Sequence, residues 1–125
     1  MKMTLEKAVN AAQTIAGLNR IRMKNTATAR KIFSLKKLLE PHLEFYLEED
    51  KKLIEELGGT VRDDGVILFN DQAEGTKKMI AGRKELFATE VDVPIDTPVI
   101  FRDAEGIQVS GEEISFLEGL AEFRE

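Results

Sequence analysis

NTATARKIFSLKKLLEPHLEFYLEEDKKLIEELGG, residues 25–59, is the stretch on which the fold turns. Ile32, Leu35, Leu39, Tyr46, Leu53 and Leu57 recur near the 3.5-residue period of packed helices, which predicts one long helix from Thr26 to Leu57. Leu38, Leu43, Leu47 and Ile54 widen the apolar stripe beyond a single seam. Pro41 lacks a backbone donor and crowds the preceding turn, so a kink is expected around Glu40. The periodicity resumes at Leu43, and Gly58-Gly59 supplies the stop.

Towards the N-terminus, Thr4 is a candidate cap with Glu6 in the positively polarised first turn. Leu5, Ala8, Val9, Ala12, Ile15 and Ala16 follow at helical spacing up to Gly17. Residues 18–25 read as a connector. Beyond residue 59 the period changes. Thr60-Val61-Arg62 and Val66-Ile67-Leu68-Phe69 flank Asp63-Asp64-Gly65, a hairpin signal. Asp71 and Glu74 form a capping-box pattern that opens a helix to about Thr89. Gly75, Met79, Gly82 and Leu86 share one of its faces, where glycines either let another backbone approach closely or are merely tolerated at some cost in helix propensity.

Val91, Val93 and Ile95 alternate with Asp92, Pro94 and Asp96 as in a half-buried strand, and Pro94 places that strand on an edge or next to a bulge. A second hairpin is expected between Val99-Ile100-Phe101 and Ile107-Gln108-Val109, turning through Asp103-Ala104-Glu105-Gly106. Ser110 and Glu113 make a capping box for a closing helix carrying Ile114, Leu117, Leu120 and Ala121. The fold class expected is α+β in one domain, residues 1–125, with a helical part (1–57) and a mixed part (58–125). Its architecture is a long kinked helix packed with shorter helices, plus a small antiparallel sheet of hairpins in the C-terminal half.

A chain of 125 residues supports one core, and with 42% apolar and 33% charged residues it reads as globular. The absence of Cys removes disulfides, thiol catalysis and Cys-ligated metals, and favours a reducing compartment. No apolar run suits a signal peptide or a membrane span, so a cytoplasmic location and no membrane partner are expected.

The net charge of −5 is unevenly laid out. Between Lys7 and Leu39 there are eight cations and no carboxylate, and Glu40, Glu44, Glu48, Glu49 and Asp50 then follow closely. Such halves suit either an acidic partner or docking on each other, and the self-complementary arrangement is the commoner.

Catalytic signals are wanting. His42 is the sole histidine, which leaves no two-histidine metal motif and no evident base–nucleophile pair. Asp63, Asp64 and Asp71 lack the alternate-residue spacing of a calcium loop, and turn and capping chemistry explain Asp64 and Asp71. No Gly-rich phosphate loop or serine elbow is present. A non-enzymatic role without cofactor or metal is therefore expected. The apolar stripe marks Ile32, Leu35, Leu39, Leu43 and Tyr46 as core or candidate interface in a homo-oligomer, a dimer foremost. The alternative is a nucleic-acid-binding accessory protein that uses Arg20, Arg22, Lys24, Arg30 and Lys37 on phosphates.

The segment from Asn25 to Leu57, the strand Glu90-Val91-Asp92-Val93-Pro94-Ile95 and the run from Val109 to Glu118 together resemble small proteins encoded by tailed phages and prophages of Gram-positive bacteria. Pro41 inside the long helix departs from that pattern. The resemblance implies a phage or prophage setting, in the host cytoplasm or associated with the virion, and assigns no functional residue.

Overall fold

A computed structural model describes residues 1–102 and 106–125. The chain is α+β. It begins with a short strand, β1 (Lys2–Thr4), that runs directly into α1 (Leu5–Asn19). Thr4 caps this helix by accepting from the Lys7 N–H. After the connector, Asn25 accepts from the Ala27 and Thr28 N–H groups and opens α2 (Thr26–Glu56).

The long helix is continuous through Pro41. Proline removes one amide donor from the ladder, and at Pro41 the side chain is exposed while Leu39 before it and Leu43 after it are packed on the core. Tertiary packing on both sides of the proline offsets the missing bond. Gly58, at φ 71°, ends the helix in the left-handed conformation.

The main core lies where α1 packs along the first half of α2. Ala8, Ala11 and Ala12 on α1 are buried, and their small side chains let the helices approach closely. Ile15 and Leu18 on α1 meet Ile32, Leu35 and Leu39 on α2 in one buried cluster. Val93, Phe101, Leu117 and Leu120 close it from the C-terminal half.

Sheet pairing departs from the expected run of hairpins. The first hairpin forms, with β2 (Thr60–Val61) antiparallel to β3 (Ile67–Leu68). Asp64 steadies its turn by accepting from the Val66 N–H and the Arg62 guanidinium, and Gly65 takes a φ of 86°. α3 (Gln72–Phe87) follows, capped by Asp71 on the Glu74 N–H.

The next strand, β4 (Glu90–Asp92), pairs antiparallel with β1, setting Val91 against Met3. The N-terminal ammonium bonds the Val93 carbonyl at 2.6 Å, and Val93 donates back to the Met1 carbonyl at 2.8 Å.

The expected second hairpin is not formed. β5 (Val99–Arg102) pairs in parallel with β6 (Ala121–Arg124), placing Phe101 on Phe123 with ring centroids 5.4 Å apart. Parallel neighbours require a long crossover, and residues 106–120 lie within it. Residues 103–105 of the expected turn lie outside the described residues. Ile107 and Val109 pack on the core without joining a ladder.

The Ser110 capping box is present, but its helix, α4 (Gly111–Phe116), is a short one. Gly119 turns the chain at φ 82°, so Ala121 belongs to a strand and not to the closing helix. The alternation of Ala121 and Phe123 inward with Glu122 and Arg124 outward satisfies a strand that the capping signal had obscured.

α3 rests on the second half of α2, but its glycines receive side chains and not a backbone. A Cβ on Gly75 would fall 2.2 Å from Phe69 Cγ and 2.5 Å from Phe69 Cβ. A Cβ on Gly82 would fall 2.8 Å from Cδ2 of Leu53, the far end of a flexible side chain. Gly75→Ala should therefore destabilise by about 1–3 kcal/mol despite the better helix propensity of Ala. Gly82→Ala should stay within about 0.5 kcal/mol of the parent, because Leu53 can turn aside and propensity compensates. Urea unfolding of the two variants checks the contrast.

Candidate interaction surface

The 15-residue α1 spans about 22 Å and the 31-residue α2 about 46 Å, so half of the long helix projects past its first partner. This distal half carries β2, β3 and α3, and its packing is sparse. Among the described residues, Ile54, Gly75 and Met79 are the buried ones in this unit.

A ring stack and an ion pair fasten α3 to α2, beside the packing of Leu53 on Gly82. Tyr46 stacks on Phe87 with centroids 4.6 Å apart and planes 15° from parallel. One turn further on, Asp50 receives a bidentate bond from Arg83, at 2.6 Å from Nε and 2.9 Å from the terminal nitrogen. Burial pushes the Tyr46 phenol above its ordinary pKa, and the Asp50 charge adds to the rise. Arg83 is raised as well, chiefly by its hydrogen bond to Asp50. In the sequence Asp50 belongs to one acidic run with Glu48 and Glu49. Its position four residues after Tyr46 places it on the packed face, and its side chain is only 14% exposed.

On the other flank of α2, Leu47, Ile54, Gly59 and Val61 contribute to a groove of about 360 Å³. Leu47 is 56% exposed there and Phe33, on the proximal half, 47%. Neither had been singled out as an interface residue.

The candidate interface residues divide. Ile32, Leu35 and Leu39 belong to the buried core of the single chain, so they present no surface to a second copy. Leu43 is partly buried against that core, and Tyr46 is occupied by Phe87. The width of the stripe reflects cover by α1 on one portion of α2 and by α3 on another.

The basic segment stays on the surface. Arg20, Arg22, Lys24, Arg30 and Lys37 are all exposed. Arg20, Arg22, Lys24 and Arg30 make no ion pair among the described residues, and Lys37 lies over the Phe33 ring at 5.0 Å. Docking of the basic front on the acidic half of the same chain is therefore not seen for these residues. Among the described residues, the carboxylate that Lys36 reaches is that of its neighbour Glu40, at 4.0 Å.

His42 is half-buried on α2. Asp64 and Asp71 are engaged in the hairpin turn and the α3 cap, and no metal-holding group of three His or acidic residues occurs among the described residues. No described helix is long and apolar enough to cross a membrane. No family model, curated protein or solved structure matches this chain.

Proposed function

We propose that this chain is a non-enzymatic assembly protein that self-associates through its long helix, as a dimer in the first instance. The observation that carries the reading is the under-covered distal half of α2 and the elements it bears. Phe45, Leu47, Val61, Val66, Leu68 and Ile80 are all exposed on that one unit. Single exposed apolar residues are ordinary, whereas a concentration of them on one sparsely packed element marks an interaction surface. The phage or prophage setting implied by the sequence resemblance suits a small assembly factor of this kind.

Light scattering over a dilution series tests the reading. A mass near twice 14.0 kDa that falls on dilution is expected. A strict monomer at every concentration would remove self-assembly.

A second reading is nucleic-acid binding, favoured by the exposed basic residues Arg20, Arg22, Lys24 and Arg30. It requires affinity that falls steeply with salt. Salt-insensitive binding, or none, would dispose of it.

A further inference from the structure

Resting on the assembly reading, we infer that two copies pair antiparallel along the outer face of α2, about a twofold axis beside Glu40, so that the basic half of each helix lies on the acidic half of the other. Residues 26–39 of α2 hold Arg30, Lys31, Lys36 and Lys37 with no carboxylate, whereas residues 40–56 hold seven carboxylates against Lys51 and Lys52. A parallel pair would set like charges together, and an antiparallel pair sets opposite ones together.

The face is set by what is already covered. At about 100° per residue, Arg30, Phe33, Lys37, Glu44, Leu47 and Glu48 fall within an arc of about 100°. That arc is turned away from Ile32, Leu35 and Leu39, which α1 covers, and every residue of the six is exposed.

The register follows from the two apolar residues on this face. Phe33 and Leu47 lie seven residues to either side of Glu40, so an axis at Glu40 brings Phe33 of each copy beside Leu47 of the other. The same register sets Lys37 one residue from the level of the second copy's Glu44, an axial offset of about 1.5 Å. Arg30 comes within two residues of the level of Glu48. Glu40 would meet its own counterpart at the axis, and Lys36, 4.0 Å away in the same chain, offsets that repulsion.

The experiment is a charge exchange across the axis, with Lys37→Glu and Glu44→Lys made singly and together in the full chain. Dimerisation is followed by light scattering at low and high salt, with thermal melts as a check on folding. Each single variant is expected to stay folded by circular dichroism, with Tm lowered no further than the weaker dimer accounts for, and to weaken dimerisation about tenfold, since it creates two symmetric like-charge contacts. The double variant should restore the affinity, and high salt should weaken the parental dimer. A dimer indifferent to the single changes, or single defects that the double variant does not repair, would overturn this register and direct attention to the groove beside Val61. A parental chain that is monomeric throughout would overturn both the register and the assembly reading.

Discussion

Leu39→Ala is expected to lower the unfolding free energy by about 2–5 kcal/mol without a direct effect on self-association. Leu39 is 0% exposed and sits in the cluster formed by α1, the first half of α2 and the C-terminal strands. Truncation removes apolar contacts and leaves a cavity that two long helices cannot easily close, because each is held along its length by neighbouring core residues. Against a typical domain stability of about 5–15 kcal/mol, such a loss takes up a large part of the margin. Urea unfolding gives the magnitude, and light scattering of the still-folded variant gives the oligomeric state. Retained stability together with loss of the dimer would instead place Leu39 against a partner. Phe33→Ala, on the exposed outer face, should do the reverse, with weaker assembly and, at concentrations where both chains are monomeric, stability within about 0.5 kcal/mol of the parent.

Asp50→Asn is expected to cost about 1–3 kcal/mol and to loosen the distal unit before the core. The substitution preserves shape but leaves the Arg83 guanidinium without its charge-assisted bidentate partner. A fully buried cation would suffer more, but Arg83 is 31% exposed and recovers some hydration. The unit has few other restraints, so the loss should appear as local opening before the whole chain unfolds.

Tyr46 is the only tyrosine, and there is no tryptophan, so intrinsic fluorescence reports this unit alone. In the variant the fluorescence transition should precede the loss of helix seen by circular dichroism. Coincident transitions would show instead that α3 and the main core unfold as one.

The same variant has a titration signature. Burial and the Asp50 charge hold the Tyr46 phenol above 10.0, so its neutral form is the one the fold favours. The resulting stability is present below pH 10 and is lost as pH rises through the higher folded value. Removing the Asp50 charge takes away one of the raising influences and leaves Arg83 free to stabilise the phenolate. Phenolate absorbance should accordingly appear at lower pH in Asp50→Asn than in the parent.

Within the sequence, local signals were strong where an element is specified by its own residues. The caps at Thr4, Asp71 and Ser110 and the turn at Asp64-Gly65 depend on side chains bonding to backbone groups within a few residues, and each is found in place. The long helix was legible because its apolar spacing extends over many turns, and Pro41 could not break a pattern packed on both sides of it. The candidate surface was legible only in part. Phe33 and Leu47 lie outside the strict seam, and exposure depends on where α1 and α3 stop, which no local pattern records.

What the sequence by itself determined was the set of helices, the first hairpin, the α+β class and the segregation of charge along α2, because these follow from short-range bonding and periodicity. Only the tertiary structure decided that β1 finds β4, that β5 takes β6 in parallel, and that Asp50 is tied to Arg83. Strand pairs as short as these carry too few residues to specify a partner locally. Their pairing is selected by which apolar faces, Val93, Phe101 and Leu120 among them, can be buried together against the helices.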